Sequence, residues 1–160
     1  MDPTIEFLWE RKRRRGQPSG TVQSWAIALL TEGIESDAIT RMAAERELHW
    51  QAEAVLVSQA LQDIGQSALE NHLDLLRAVE QASVADYLAG KIDGWTLIKR
   101  GCDLYYEARG ESNEFMDWIG LAEEADQFGQ SLRGPSGFHR RSFDEALKSA
   151  LRQFGRFEVD

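Results

Sequence analysis

The stretch WAIALLTEGIESDAITRMAA, Trp25–Ala44, decides how the chain is read. It predicts two short amphipathic helices joined by a tight turn. Val22, Trp25, Ala26, Leu29 and Leu30 recur at helical spacing and form one apolar stripe. Gly33 stops that helix, Ser36 can cap the next, and Ile39, Met42 and Ala43 carry the apolar face onward. A looser echo follows at Val84–Cys102, VADYLAGKIDGWTLIKRGC. The two hairpins overlay only with a gap. Chance produces that much likeness between amphipathic hairpins, so no repeat is read.

Outward from this hairpin the helical signals continue. On the N-terminal side, Thr4–Arg15 predicts a helix with Thr4 as its cap and Ile5, Leu8 and Trp9 as its apolar face. The breaker run GQPSG at Gly16–Gly20 makes residues 1–16 a candidate helical arm and 17–20 its linker, within a single domain spanning 1–160. On the C-terminal side, Trp50, Ala54, Val57, Leu61 and Ile64 fall at spacings of four and three, close to a heptad seam. Gly65 ends that helix. Ser67 and Glu70 have the form of a capping box opening the next, with Leu69, Leu73, Leu76 and Val79 inward and Gly90 as its stop. Asp93 can cap Gly94–Ala108, with Ile98, Gly101, Cys102, Tyr105 and Ala108 inward. Ser112 is read as the cap of Asn113–Phe128, with Phe115, Trp118, Ile119, Ala122 and Ala125 as its stripe. After the breaker-rich loop Gly129–Gly137, Ser142 opens a last helix with Phe143, Leu147, Ala150, Leu151 and Phe154 on one side. No segment sustains a period of two. The expectation is an all-α fold: a compact bundle of about seven helices built from antiparallel helical hairpins, with no β-sheet. The five tryptophans (Trp9, Trp25, Trp50, Trp95 and Trp118) fall one per segment and read as core anchors.

Charge is the second informative feature. The net charge is −9, unevenly spread. Residues 1–16 sum to +2 because Arg11, Lys12, Arg13, Arg14 and Arg15 outnumber three acids. Glu107–Asp126 holds Glu107, Glu111, Glu114, Asp117, Glu123, Glu124 and Asp126 against Arg109 alone, a sum of −6. An acidic body steers basic partners toward itself and repels nucleic acid. The start, MDPTIEFLWE, carries acids where a signal peptide carries basic residues, and no apolar run approaches the length of a membrane span. The single cysteine, Cys102, allows no internal disulfide. A soluble cytoplasmic protein is expected, without membrane contact.

Motifs that dictate a reaction are missing. Glu45, His49 and Glu53 lie at i, i+4 and i+8 and would share a face if one helix ran through them, but a polar outer face explains them as well. His49, His72 and His139 lack a neighbouring nucleophile and acid, and there is no Glu-x-x-His pair. Cys102 falls on a predicted inner face, where cysteine behaves as a small hydrophobe. The glycine-bearing runs lack the lysine of a phosphate loop. The chain therefore does not read as an enzyme, and no cofactor is expected.

In layout, WAIALLTEGIESDAITRMAA, VADYLAGKIDGWTLIKRG and the acidic EFMDWIGLAEEADQF resemble small acidic, all-helical bacterial proteins of unknown or toxin-immunity type. The resemblance carries over no functional residue. It implies a protein-binding module that neutralises a toxin by occlusion. Glu107, Glu111, Glu114, Asp117, Glu123 and Glu124 would steer a basic partner, and Arg11, Arg13, Arg14 and Arg15 form a second candidate surface. Self-association is open. The alternative is a nucleic-acid-associated or anti-defence regulator, using Arg11–Arg15 directly or the acids as a mimic.

Overall fold

Five of the described glycines carry a positive φ, and they punctuate the chain at its turns. A computed structural model describes residues 1–13, 21–45, 48–131 and 139–158, with only the backbone of 127–131 and 139–142. Among the described residues it is all-helical: α1 (Pro3–Arg13), α2 (Thr21–Thr31), α3 (Asp37–Ala44), α4 (Trp50–Asp63), a 3-10 turn at Ser67–Glu70, α5 (His72–Leu88), α6 (Gly94–Ala108), α7 (Asp117–Ser131) and α8 (His139–Gln153). The segment 17–20, read as a linker, lies outside the described residues. The chain forms two compact units, Met1–Val79 and Glu80–Asp160, divided inside α5.

The first unit is built on the α2–α3 hairpin. Val22, Trp25, Ala26 and Leu29 are buried on α2, and Ala38, Ile39 and Met42 on α3. Gly33, at φ 81°, turns the chain so that the Ile34 N–H bonds back to the Leu29 carbonyl at 2.9 Å. The Ser36 hydroxyl then accepts from the Ile39 N–H at 3.3 Å. Helix α1 packs on α2, with Phe7 stacked on Trp25 at 4.3 Å between ring centroids. Its cap is Asp2 rather than Thr4: the Thr4 N–H donates to Asp2 Oδ1 at 2.8 Å. Pro3 occupies the first helical position, where its missing N–H does no harm. Thr4 is instead buried, and its hydroxyl accepts from Trp25 Nε1 at 3.2 Å.

Helix α4 corrects the seam. Leu56, Val57, Ala60 and Leu61 are the buried positions, whereas Ala54 is exposed and Trp50 is 66% exposed. The expected capping box at Ser67–Glu70 is also corrected. Those four residues form only the 3-10 turn, and Ser67 caps nothing. Asn71, extended at ψ 132°, opens α5, its side-chain oxygen accepting from the Asp74 N–H at 3.2 Å. A sequence box cannot distinguish a helix from a single turn that stops after four residues.

The second unit repeats the hairpin connection. Gly90 has φ 71°, the Lys91 N–H bonds to the Asp86 carbonyl at 2.8 Å, and Asp93 caps α6 by accepting from the Thr96 N–H at 2.7 Å. Glycine, then a cap three residues on, is the arrangement at Gly33 and Ser36. Helix α7 returns antiparallel along α6: Trp118 in its first turn lies over Gly101, and Leu121 and Ala125 further along share a pocket with Ile98, nearer the start of α6. It begins at Asp117, not Asn113, because 113–116 make a series of short turns. Gly101 lies directly under the Trp118 indole, where a Cβ would come within 2.1 Å of the ring. Trp118, Phe115, Leu97, Leu104, Leu147 and Leu151 are fully buried. Trp95 is not: it is 50% exposed and stacks on Phe143 at 5.0 Å. Three tryptophans are core anchors; Trp50 and Trp95 are surface residues.

Candidate functional site

The acidic segment is the α6–α7 hairpin of the second unit. Glu107 is exposed in the last turn of α6, and Glu111 is exposed in the connection. Glu114 is half-buried there, its backbone N–H donating to Ser112 Oγ at 3.1 Å. Glu123 and Glu124 are exposed two turns along α7, as is Asp126. Two large apolar side chains stand out in solvent on the same hairpin: Tyr106 at 62% exposure and Met116 at 51%. Exposed carboxylates and exposed apolar side chains on one hairpin are the composition of a binding surface, in which apolar anchors supply affinity and charges supply steering.

Asp117 has a different role from the other acids. It is one arm of a charged knot whose centre is Glu80, a carboxylate only 2% exposed on α5. Glu80 Oε1 accepts from Trp118 Nε1 at 2.6 Å and from Arg156 Nη2 at 2.8 Å, and Arg156 Nε lies 3.2 Å from Oε2. Arg156 Nη1 donates to Asp117 Oδ2 at 2.9 Å. The guanidinium also lies over Phe154 and Phe157, at 5.0 and 5.4 Å from their centroids. Burial works against the Arg156 charge, but the bonds to Glu80 and Asp117 outweigh it and hold its pKa above the ordinary value. The knot fastens the residues after α8 to α5 and α7 and fixes the first turn of the acidic helix. Sequence reasoning missed it. The available signal was Glu80 itself, adjacent to Val79 on the inward face that continues through Ser83 and Val84.

Several other titratable groups are engaged within the fold. The Tyr87 hydroxyl bonds Asp144 Oδ1 at 3.2 Å, and burial first, then the Asp144 carboxylate, push its pKa up. Burial, with Asp103 beside it, raises the Cys102 thiol, whose Sγ–H points to the Trp118 carbonyl at 3.8 Å. A raised thiol pKa is the opposite of what a nucleophilic cysteine needs. Glu45 closes α3 and His49 precedes α4 in extended backbone, so Glu45, His49 and Glu53 do not share one helix. Glu45 pairs with Arg41 at 3.6 Å, and Glu53 with Arg11 at 3.2 Å. Among the described residues no group of three or more His, Cys, Asp or Glu could hold a metal ion.

The basic run belongs to the first unit. Arg11 contacts Glu53, and Arg13 lies over Trp9 at 5.6 Å; Arg14 and Arg15 lie outside the described residues. No helix among the described residues is long and apolar enough to cross a membrane. No family model, no curated protein and no solved structure matches this chain.

Proposed function

We propose that this chain is a protein-binding module whose acidic α6–α7 hairpin receives a basic partner protein. The observation that carries the reading is the exposure of Glu107, Glu111, Glu123 and Glu124 on the hairpin that also exposes Tyr106 and Met116. The carboxylates would draw a cationic surface in, and the apolar pair would anchor it after desolvation. Neutralisation of a bacterial toxin by occlusion is the concrete form, in keeping with the resemblance to immunity-type proteins. Asp117 is half exposed on the same hairpin, but Arg156 already engages it, so it would contribute less charge to the contact than the other acids.

The test is capture from the source lysate at low salt with two baits. One is the wild-type chain. The other carries Glu107→Gln, Glu111→Gln, Glu123→Gln and Glu124→Gln. A basic protein retained by the first, released by high salt and missing from the second is expected. The same proteins on both baits would overturn the reading.

A further inference from the structure

The second unit holds a small cleft that Glu124 of the acidic hairpin borders. It lies among α6, α7 and α8 and has a volume of about 50 Å³. Its floor is apolar and buried: Ile98 of α6, Leu121 and Ala125 of α7, and Leu147 of α8. Helix α8 sits tightly on the start of α6, because a Cβ at Gly94 would come within 2.7 Å of both Leu147 and Phe143. The two rims differ. On the α8 side stand Ala146, exposed, and Phe143, half-buried and stacked on Trp95 at 5.0 Å. On the α7 side stands Glu124, exposed and, among the described residues, the one charged side chain that lines the cleft.

Size and charge together select an occupant. A water-sized group needs about 10–15 Å³, so the cleft takes a short row of such groups. It is too small for an aromatic ring, since benzene occupies a cavity of about 150 Å³. It is also too small for a drug-sized ligand, which needs about 300–1,000 Å³. What fits is one thin aliphatic chain. Glu124 sets the end of that chain, because its carboxylate makes no hydrogen bond or ion pair among the described residues. An apolar end would strip water from the carboxylate without replacing its hydrogen bonds. An anionic end would be repelled, and a cation is attracted. Lysine carries a compact ammonium on a four-carbon stem, whereas arginine ends in a wide planar fork. The lysine stem therefore covers more of the floor before its charge begins.

We propose that this cleft receives a lysine side chain of the basic partner protein. The stem enters over the α8 rim and lies across Ile98, Leu121 and Leu147, and the ammonium reaches Glu124 on the α7 rim. The pose suits a cation on an apolar stem, because the stem leaves water while the head stays at the surface. The proposal rests on the reading of the hairpin as the receiver of a basic protein, and it names the side chain received.

The probes are N-acetyl-lysine methylamide and its norleucine and arginine counterparts. Each is titrated into the full chain while the methyl resonances of Ile98, Leu121 and Leu147 are followed by NMR. Norleucine keeps an unbranched apolar stem and lacks the charge. Saturable shifts with the lysine compound are expected, with norleucine about fivefold weaker, the upper range for an exposed ion pair, and arginine also weaker. Glu124→Gln should weaken the lysine compound by the same factor and leave norleucine unchanged. Ala146→Phe, at an exposed position, should fill the cleft and abolish the shifts while the helical circular dichroism stays at the wild-type level. No binding of the lysine compound by the wild type, norleucine or arginine binding as tightly as lysine, or unchanged lysine binding by either variant would each overturn the proposal. The titration needs no partner protein, so its failure leaves the hairpin reading standing, whereas identical captures on the two lysate baits remove that reading and leave the titration result as it is.

Discussion

Both units bury a tryptophan whose indole N–H must find an acceptor, and they solve the problem differently. In the first, Trp25 donates to the neutral Thr4 hydroxyl at 3.2 Å and stacks flat on Phe7. In the second, Trp118 donates to the Glu80 carboxylate at 2.6 Å, with Phe154 edge-on to the ring at 5.3 Å. A hydroxyl needs nothing further. A buried carboxylate needs a counter-ion, and Arg156 supplies it. The difference teaches where each unit is vulnerable: the first loses one modest hydrogen bond if its acceptor is removed, whereas the second leaves a buried indole N–H unsatisfied and Arg156 with Asp117 alone.

The largest expected effect therefore follows Glu80→Ala. Leaving the buried Trp118 N–H without its acceptor and stripping Arg156 of its main partner costs about 2–3 kcal/mol, read as a lower urea midpoint, and Trp118 emission should shift to the red. Glu80→Gln should recover part of the loss, because its carbonyl oxygen can still accept from the indole. Gly101→Ala comes next. Its Cβ would press into a ring that is fully buried, and overpacking of this kind costs about 1–3 kcal/mol by the same measurement. Thr4→Val sharpens the contrast, since it keeps the shape and deletes only the neutral acceptor; a loss of about 1 kcal/mol is expected. If it matched Glu80→Ala, the distinction between the two anchors would fail.

A smaller effect is confined to alkaline solution. Burial and Asp144 raise the Tyr87 phenol above its ordinary value of 10.0, so the folded chain keeps a proton that the unfolded chain releases. Stability contributed by Tyr87 is complete below that value and declines as pH rises through and above it. Tyr87→Phe should show a shallower decline between pH 9 and 11 in urea midpoints. The smallest effect belongs to the acidic surface: Glu123→Gln should alter stability by less than about 0.5 kcal/mol, as exposed substitutions do.

Much of this architecture was legible in the chain because it rests on local signals. Gly33 with Ser36, and Gly90 with Asp93, announce turn and cap from residues three apart, and α6 runs over the predicted Gly94–Ala108. What was not legible depends on partners distant in sequence. Trp50 and Trp95 satisfy the helical period, yet Trp50 is exposed and Trp95 is covered on one side only, by Phe143 of α8, and periodicity does not report what lies opposite. Thr4 looks like a cap until Asp2 takes that role and Trp25 claims its hydroxyl. Glu80 and Arg156 are 76 residues apart, and nothing local pairs them. The acidic hairpin was visible as composition, whereas the engagement of Asp117 by Arg156 was not.

The central claim is that the exposed carboxylates of the α6–α7 hairpin steer a basic partner. The most direct measurement is the association rate of the captured partner between low and high ionic strength, for the wild-type chain and for the variant with Gln at 107, 111, 123 and 124. Screening should slow the wild type at least tenfold and leave the variant slow throughout. Equal rates for the two proteins, flat with salt, would contradict the account.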